Sequence, residues 1–480
     1  MAFTVFRIIV VILGIIGTTY IIPEAVALYC KEYEVLPYFI IPMVASWLLT
    51  LLVHLLAKKK KTNLSTRSAF VVVALSWFAA SLFGAIPLYF SGAIPKITDA
   101  FFESASGFTT TGITILNDIE ALPRSINLWR CQTHWLGGMG IVALTVALLP
   151  ILGVGGFQLV KAETTGPEKG KLTPKITTTS KILWIMYFSL TVAECIALKI
   201  AGMDFIDALS HAFSTLGTGG FSTRNASIAA YNSVSIDVII TIFMFLAGIN
   251  FSLYYYVFAR KWADIKDNTE FKAYLIIFFT AALVITGINT PQFKNFFTSA
   301  RYSIFQTASI ISTTGFGTND YTTWHTGAQA IILVLFFIGG MSGSTSGGVK
   351  VIRWVVLGKI LHNEFSKMIH PHGVFQMRIN KQPARKELSN TVAAFFFVYI
   401  SLILFSTFYT CLFGIDVFTS FSGALSMLGN VGPGFNLLGP SFNASWLPAA
   451  VKWMYCILMI AGRLEFFTIV IFLSPSFWKK

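Results

Sequence analysis

Long apolar stretches separated by short polar segments run along the whole chain. Many of them reach about 20 residues, the length that an α-helix needs to cross the hydrocarbon core of a bilayer. The first two, near residues 3–27 and 37–57, are joined by the short polar turn CKEYEVLP and predict a helical hairpin. The pattern therefore predicts an integral membrane protein built from helices.

Four longer intervals follow the hairpin, and each has room for more than two spans. Each interval contains a span, a half-length apolar piece, a glycine-containing turn, a polar strip and a second span. The predicted turns are Thr110-Thr111-Gly112-Ile113-Thr114, Thr215-Leu216-Gly217-Thr218-Gly219, Thr313-Thr314-Gly315-Phe316-Gly317 and Asn430-Val431-Gly432-Pro433-Gly434. They recur at a spacing on the order of a hundred residues, which suits one membrane unit each.

The repeat predicts an all-α membrane fold with four units, each a helix, a half-length helix, a glycine-containing turn and a second helix. We expect a pseudo-four-fold arrangement of the units around one pore. The predicted boundaries are 1–62 for the N-terminal hairpin, 63–175, 176–265 and 266–380 for the first three units, and 381–480 for the fourth. The third unit also holds a broken second span and a large cytoplasmic loop.

Composition and charge support the membrane assignment and orient the chain. It is 55% hydrophobic and 12% charged, whereas soluble domains are about 25% charged. The formal net charge is +14, and most of the 35 Lys and Arg cluster at every second connection between spans. By the positive-inside rule, these connections and both termini are cytoplasmic. We expect the basic rim to contact membrane lipid, and we predict no nucleic-acid partner.

The N-terminal stretch and the cysteines argue against a cleaved signal peptide, a disulfide framework and a metal cluster. The stretch carries a lone Arg7 and no small-residue cleavage pattern, so it predicts a retained helix rather than a signal peptide. The five cysteines are odd in number, scattered and mostly within apolar spans. They predict packing residues rather than a disulfide framework or a metal cluster.

The glycine turns carry the functional prediction. Irregular backbone at membrane depth is tolerated only where it is buried in protein or lines a water-filled cavity. A Thr/Gly turn allows successive carbonyl groups to face one side, because glycine adopts dihedral angles that other residues resist. Four such turns can replace the water shell of an alkali cation, as the TVGYG loops of K⁺ channels do. The half-length helices direct the negative ends of their dipoles toward the same place.

The outer starts of three half-length helices carry a carboxylate. Asp99, Asp204 and Asp416 lie at the first, second and fourth of these starts. We expect them to cap free backbone N–H groups at the positive end of each helix dipole.

Two further features predict a gate. The stretch IGGMSGSTSGGVK lies in the second span of the third unit, and its glycines predict a break in that helix. In the predicted topology the break lies directly below the filter, where a loop can obstruct the path. Arg463 lies within a span beside Glu465, and charges at such depth face a cavity or a partner. Repulsion of a passing cation and pairing with a carboxylate such as Glu194 both stay open.

The motifs together resemble those of a known family. FTTTGIT, STLGTGGFSTRN, STTGFGTNDY and LGNVGPGF, with HWLGGMGIV, IGGMSGSTSGGVK and AGRLEFF, are similar to the Trk/Ktr/HKT superfamily of cation transporters. The resemblance is strongest to its TrkH-type branch and covers essentially the whole chain, including the extra N-terminal helix pair. It implies four M1-P-M2 units (helix, half-length pore helix, filter turn, helix) in a pseudo-four-fold arrangement around one pore.

The resemblance implies K⁺ as the transported ion and names the residues that bind it. The implied filter residues are Thr110, Thr111, Gly112, Thr215, Leu216, Gly217, Thr313, Thr314, Gly315, Asn430, Val431 and Gly432. A serine at the first of these glycines accompanies Na⁺ preference in relatives, so Gly112 favours K⁺, with Rb⁺ also carried and Na⁺ less. Asn430 and Pro433 depart from the Thr-x-Gly pattern and imply a ring that is less than four-fold symmetric.

The resemblance also implies how transport is controlled. The implied gating residues are Gly339, Gly340, Gly343, Ser344, Thr345, Ser346, Gly347, Gly348, Lys350 and Arg463. It further implies a homodimer in the bacterial inner membrane and a cytosolic TrkA-type regulatory subunit with nucleotide-binding domains. The chain shows no GxGxxG after a strand and no GxxxxGK[ST], so we expect no bound cofactor here and nucleotide only on the partner.

Other function classes fit the motifs less well than gated K⁺ uptake. Ion-coupled symport of K⁺ with H⁺ or Na⁺ is the main alternative, although four parallel units differ from the inverted repeats common in such carriers. An intramembrane protease would need Ser344 or Ser346 with His211 or His325, but GSTSG has threonine where the nucleophile of GxSxG stands. A metal site would need His362, His370 and His372, whose spacing matches no familiar pattern.

Overall fold

The computed structural model describes residues 2–57, 65–140, 176–383 and 386–478. These residues form helices joined by turns and one short β-hairpin. The predicted boundary at residue 62 and the part of the first unit from 141 to 175 lie outside the described residues. Within them, the prediction of an all-helical membrane fold is confirmed.

The N-terminal helices form the predicted hairpin and pack on the rest of the chain. They are α1 (Ala2–Thr19), α2 (Ile21–Cys30) and α3 (Leu36–Ala57). Tyr20, between the first two, is fully buried and its ring contacts Phe39, Phe83 and Trp129. These aromatic contacts join the hairpin to the following interval.

The four longer intervals each hold a long helix, a half-length helix and further helical pieces. The first has α4 (Thr66–Phe90), α5 (Ile97–Phe108) and α6 (Arg124–Gly138). The second has α7 (Ile176–Ile200), α8 (Phe205–Gly217), α9 (Val234–Ala247) and α10 (Phe251–Phe258). The third has α11 (Trp262–Lys266), α12 (Thr269–Phe293), α13 (Phe296–Ile311), α14 (Thr326–Leu335) and α15 (Val351–Ile369). The fourth has α16 (Lys386–Cys411), α17 (Val417–Gly429), α18 (Ala449–Arg463), α19 (Phe467–Val470) and α20 (Pro475–Trp478).

A short antiparallel hairpin connects the third and fourth intervals. Its strands are β1 (Arg378–Ile379) and β2 (Gln382–Pro383). Asn380 and Thr269 exchange two hydrogen bonds of 2.9 and 3.1 Å, each between a side chain and a backbone N–H. The hairpin is thereby attached to the start of α12.

Among the described residues, six helices are long and apolar enough to cross a membrane. They are Phe3–Cys30, Leu36–Leu56, Arg67–Phe90, Thr179–Ile200, Thr269–Phe293 and Leu388–Cys411. The pair α9 and α10, bent by 93°, would add a seventh if it forms one span. The chain is a multi-pass membrane protein.

The long helices surround the half-length ones and carry apolar side chains outward. Leu283 and Phe397, for example, are 70% and 76% exposed, as expected for side chains that face lipid. The half-length helices are buried, and polar side chains such as Ser106, Thr215 and Ser309 are enclosed with them. Polar groups are therefore gathered in the interior, where they can serve a polar path.

Three second helices break at comparable points in their intervals. The predicted break in the third is confirmed, because α14 ends at Leu335 and helix resumes only at Val351. The second helices of the second and fourth intervals, where the sequence predicted no break, are also interrupted. In the second interval, α9 ends at Ala247 before α10 starts at Phe251, and in the fourth, α18 ends at Arg463 before α19 starts at Phe467.

Local chemistry explains both unexpected breaks. In the second interval, α9 ends at Ala247, and the Asn250 side chain then caps α10 by accepting from the Ser252 N–H at 2.8 Å. In the fourth, Glu465 and Phe466 adopt left-handed conformations, with φ of 54° and 37°, which end α18. Neither Glu465 nor Phe466 is the glycine that usually marks such a helix end in a sequence.

Candidate functional site

The four half-length helices end in the same hydrogen-bonded turn. Within two residues of each helix end, one residue has the left-handed backbone conformation. These residues are Thr110, Thr218, Thr313 and Asn430, with φ of 55°, 55°, 56° and 52°. The N–H of each bonds to a carbonyl three residues earlier, and the next N–H bonds to a carbonyl five residues earlier. This is the Schellman arrangement, which normally has glycine at the left-handed position. A β-branched threonine there is strained, and such strain concentrates at functional sites.

A glycine with positive φ lies two residues beyond each left-handed residue. These glycines are Gly112, Gly220, Gly315 and Gly432, with φ of 82°, 80°, 83° and 99°. The residues between, Thr111, Gly219, Thr314 and Val431, do not have positive φ. The dihedral angles therefore alternate in sign, which lets successive carbonyls face one side of the turn.

The backbone corrects the position of the second turn. Thr215, Leu216 and Gly217 were predicted to form it, but they are the last residues of α8. The residues whose conformation matches the other three turns are Thr218, Gly219 and Gly220, three positions downstream. Both triplets fit Thr-x-Gly, so the pattern alone did not separate them. The pair Gly220-Phe221, which parallels Gly315-Phe316, is the signal that identifies the second triplet.

The four turns meet in a closed ring. The space beside each turn glycine is filled by the carbonyl oxygen of the next turn's middle residue. A β-carbon built on each glycine measures how close this oxygen lies. The distances are 1.7 Å between Gly112 Cβ and Gly219 O, 2.1 Å between Gly220 Cβ and Thr314 O, 2.3 Å between Gly315 Cβ and Val431 O, and 2.4 Å between Gly432 Cβ and Thr111 O. The contacts run from the first turn to the second, third and fourth and back to the first. Only glycine leaves room for this close approach of backbones.

The polar strips that follow the turns form a second closed set of contacts. The linking hydrogen bonds are Asn225 Nδ2 to Asp118 (2.9 Å), Ala229 N to Gly317 O (3.2 Å), Ser441 Oγ to Asp320 (2.8 Å) and Ala444 N to Thr114 O (2.8 Å). They join neighbouring intervals in the same cyclic order as the turns. The bond from the Asn225 amide lowers the pKa of Asp118, because it stabilises the carboxylate. The strips thus hold the four turns together.

The outer ends of the half-length helices confirm two of the three predicted caps. Asp204 accepts from the Ile206 N–H, and Asp416 accepts from the Thr419 N–H at 2.9 Å. Asp99 lies inside the first turn of α5 rather than at its cap, and it pairs with Lys452 at 2.7 Å. The prediction of a cap at Asp99 is therefore wrong. The ion pair joins the first half-length helix to α18.

The glycine-rich loop between α14 and α15 touches the turns directly. The Gly347 N–H donates to Thr313 Oγ1 at 2.7 Å, so the loop bonds to the left-handed residue of the third turn. A β-carbon on Gly347 would lie 2.6 Å from Gly429 O, at the end of the fourth half-length helix. The loop therefore packs against the third and fourth turns with no room for larger side chains.

The loop is anchored to three neighbouring elements. Met341 N donates to Gly248 O at 2.9 Å and Phe251 N to Gly343 O at 3.0 Å, across the kink between α9 and α10. Glu270, at the start of α12, accepts from Ser342 N at 2.7 Å and from Ile352 N at 3.0 Å. One carboxylate thus holds both ends of the loop. Lys350 is buried and donates to the loop's own carbonyl at Ser346.

Arg463 joins the loop to the first interval. Its guanidinium donates to Thr345 O at 2.6 Å and to Gly137 O and Gly138 O at 2.7 and 2.6 Å. The last two carbonyls lie at the end of α6. Glu194, the carboxylate that the sequence named as a candidate partner, is buried on α7, and the described residues show no ion pair between it and Arg463. Glu465, the neighbour of Arg463 along the chain, pairs with Arg353.

A buried ion pair that the sequence reasoning did not identify supports the first turn. Arg130 Nη2 lies 2.7 Å from Glu103 Oε1, and neither side chain is exposed. Glu103 also accepts from Thr114 Oγ1 and Ile115 N, both at 2.9 Å, just beyond the turn. Two ionisable residues in apolar surroundings are the signal that would have pointed to this pair.

Replacing Glu103 with glutamine is expected to destabilise the protein strongly. Removing one partner of a buried ion pair leaves the other charge uncompensated and costs about 3–5 kcal/mol. The measurement is thermal unfolding of the purified protein in detergent. Glu364→Gln is the matched control, because it breaks the exposed pair with Lys367. Equal melting temperatures for the two variants would show that the buried pair does not support the fold.

The described residues show no hydrogen bond between Ser344 or Ser346 and either His211 or His325, the pairs that a protease would need. Ser344 Oγ donates to Met341 O, His211 Nδ1 bonds to Asp207 O, and His325 caps α14 at Gly327 N. In the same part of the chain, no group of three or more His, Cys, Asp or Glu side chains could hold a metal ion. The two alternatives gain no support from geometry.

Comparison with known proteins gives a consistent set of matches. A family model described as "TrkH: Cation transport protein" matches residues 37–480. The Trk system potassium uptake protein TrkH of Halomonas elongata is 38% identical over 433 residues, covering 89% of each chain. That of Escherichia coli K12 is 39% identical over 435 residues, covering 88% of each. The crystal structure of the potassium transporter TrkH from Vibrio parahaemolyticus matches with a TM-score of 0.87 and 32% identity over all of both chains.

Proposed function

The chain belongs to the TrkH family of cation transport proteins, and we propose that it is the membrane subunit of a gated K⁺ uptake system. The family consists of transporters, not enzymes, which agrees with the prediction from sequence. In this proposal the four intervals act as M1-P-M2 units around one pore, with the boundaries predicted above. The closed ring of turns is the observation that carries the proposal.

The ring supplies the chemistry that a dehydrated K⁺ needs. Backbone oxygens of the left-handed and middle residues of each turn would replace water around the ion. In the proposal these residues are Thr110, Thr111, Thr218, Gly219, Thr313, Thr314, Asn430 and Val431, with the turn glycines Gly112, Gly220, Gly315 and Gly432. Each half-length helix contributes about half a negative charge at its inner end, which adds to the attraction for a cation.

The fourth turn makes the ring less than four-fold symmetric. Asn430 replaces threonine, and its amide donates to Thr111 Oγ1 at 3.0 Å and to Met459 O at 2.9 Å. The side chain therefore ties the fourth turn to the first turn and to α18. We propose that this tie replaces a threonine hydroxyl that the other turns offer at the same level.

The loop from Gly339 to Lys350 is proposed to close the path on the inner side of the ring. The Gly347 N–H of the loop bonds directly to Thr313 in the third turn. Arg463 adds a positive charge beside the same path and fixes the loop through Thr345 O. Opening then requires that the loop leave the turns and that Arg463 release at least one of its carbonyls.

The cytoplasmic end of α15 connects the loop to a surface where a partner can act. The helix starts at the loop and ends with Met368 and Ile369, which are 79% and 72% exposed. We propose that a cytosolic TrkA-type regulatory subunit, which would carry the nucleotide, shifts the loop through this helix. As the resemblance implies, we propose that the chain forms a homodimer in the bacterial inner membrane. In this proposal both termini lie on the cytoplasmic side, as the basic connections predict.

Flux measured in proteoliposomes tests the function. The purified protein is expected to carry K⁺ and Rb⁺ down their gradients, with Na⁺ carried less. Flux that requires a proton or Na⁺ gradient would favour the symport alternative, and absence of K⁺ flux in any gradient would refute both.

Serine in place of Gly315 tests the proposed filter itself. Gly315 has φ of 83°, and an added β-carbon would lie 2.3 Å from Val431 O. The serine side chain would push the third and fourth turns apart, so we expect the K⁺ over Na⁺ preference to fall by about tenfold. The measurement is the ratio of K⁺ to Na⁺ flux at matched gradients. An unchanged ratio would count against backbone coordination at this turn.

A further inference from the structure

The segment His134-Trp135-Leu136-Gly137-Gly138 ends α6 between the first and second turns. A β-carbon on Gly137 would lie 1.8 Å from Phe108 O, at the end of α5. A β-carbon on Gly138 would lie 2.7 Å from the α-carbon of Gly217, at the end of α8. The two glycines therefore allow α6 to contact the ends of both half-length helices.

His134 bridges these two helix ends with hydrogen bonds. Its Nδ1 lies 2.7 Å from Gly107 O, and the Phe221 N–H points to its Nε2 at 3.2 Å. A carbonyl oxygen only accepts and a backbone N–H only donates, so Nδ1 must carry the proton and Nε2 must be the acceptor. The buried imidazole is thus neutral, in one tautomer and fixed at both nitrogens. It links the end of the first half-length helix to the residue after Gly220.

The same ring fills the space behind the second turn. The middle residue of this turn is Gly219, whereas the other turns have Thr111, Thr314 and Val431 there. A β-carbon on Gly219 would lie 2.2 Å from His134 Cγ and 2.3 Å from its Nδ1. Since Gly219 does not have positive φ, its backbone does not require glycine. Glycine is present because the imidazole occupies the place of a side chain.

We propose that His134 is a specificity-determining positioning residue for the second quarter of the ion ring, which rests on the proposed K⁺ function. Gly219 O is the atom that contacts Gly112, so the position of Gly219 sets how the first and second turns approach. With no side chain of its own, Gly219 is held in place by the imidazole face and the Phe221 bond. His134 therefore controls the distance of the Gly219 carbonyl from the ion, and with it the discrimination against the smaller Na⁺.

Four variants test this assignment through the ratio of K⁺ to Na⁺ flux in proteoliposomes. In His134→Ala the second turn loses the imidazole that packs behind Gly219 and the hydrogen bonds that join Gly107 O to the Phe221 N–H. The ratio of K⁺ to Na⁺ flux is therefore expected to fall by about tenfold. His134→Gln can still donate to Gly107 O and accept from the Phe221 N–H, so it should retain most of the selectivity. Gly219→Ala alone should lower the ratio, because its β-carbon meets the imidazole.

The double variant His134→Ala with Gly219→Ala is the decisive member of the set. The alanine methyl group then enters the space that the imidazole has left, so its ratio should exceed that of Gly219→Ala alone. If Gly219→Ala lowers the ratio by the same factor in the wild type and in His134→Ala, the proposal is overturned. An unchanged ratio in His134→Ala would do the same.

The experiment separates this proposal from the function on which it rests. If the wild-type protein carries no K⁺, the proposed function fails. If the wild-type protein selects K⁺ and the variants do so equally, only the role of His134 fails. Should His134→Ala not fold, as judged by its elution in detergent, His134→Gln and Gly219→Ala still decide the matter. Retained selectivity in the first with loss in the second supports the proposal, and any other pair of results overturns it.

Discussion

Alanine in place of Gly112 is expected to lower K⁺ flux by about 100-fold. Gly112 has φ of 82°, and a β-carbon there would lie 1.7 Å from Gly219 O. The left-handed backbone and the backbone clash each cost about 1–3 kcal/mol, and each 1.4 kcal/mol is tenfold in rate. Because the obstacle is another backbone, no side-chain rotation can relieve it. Rb⁺ uptake into proteoliposomes, normalised to the amount of reconstituted protein, measures the loss.

Gly92→Ala is the matched control for this variant. Gly92 has nearly the same φ, 77°, but a β-carbon there would meet nothing within 4 Å. It therefore carries the backbone strain without the clash and lies in the turn after α4. We expect Gly92→Ala to retain most of the flux. If both variants lose flux equally, strain alone is responsible and the close approach at Gly112 does not matter.

Local chemistry explains why so much of this site is predictable from the sequence. Thr110, Gly112, Thr313 and Gly315 interrupt apolar runs in which threonine and glycine are uncommon. The conformation of each turn is determined by the residues within it. The same holds for the broken third span, where five closely spaced glycines disfavour helix. Such features are visible in one sequence because their causes lie within a few residues of them.

The position of the second turn shows where local reasoning stops. Thr215-Leu216-Gly217 and Thr218-Gly219-Gly220 both satisfy Thr-x-Gly, and choosing between them requires the length of α8. The reason for glycine at the middle position is His134, which is more than 80 residues away along the chain. A contact of that separation leaves no trace in the spacing of the turn itself.

The hydrogen-bond partners of Arg463 could not be predicted from the sequence for the same reason. From the sequence, a charge that faces the path and a pair with a carboxylate such as Glu194 both stayed open, because an intramembrane cation normally faces a cavity or a partner. The structure provides carbonyl oxygens from the C-terminal end of α6 and from the loop, each more than 100 residues away. Carbonyls at the C-terminal end of a helix carry partial negative charge, so they satisfy a guanidinium without a carboxylate. Backbone acceptors of this kind cannot be identified by residue type.

Glutamine in place of Arg463 is expected to raise K⁺ flux through the isolated protein by about tenfold or more. The arginine both fixes the loop at Thr345 O and holds the end of α6, so its loss frees the loop on one side and removes the charge beside the path. Deleting residues 343–348 should raise flux in the same direction, because it removes the segment that touches Thr313. Rb⁺ efflux from proteoliposomes without any cytosolic partner measures this unregulated flux.

Arg301→Gln provides the control for loss of a partly buried arginine. Its guanidinium contacts Tyr302 and Asp237 rather than the loop, so flux should stay near that of the wild type. Gly112→Ala combined with Arg463→Gln then tests the order of the two elements along the path. If the loop closes a path that the ring forms, the combined variant should conduct as poorly as Gly112→Ala. High flux in the combined variant would mean that ions bypass the ring, and unchanged or lower flux in Arg463→Gln would mean that the loop does not hold the path closed.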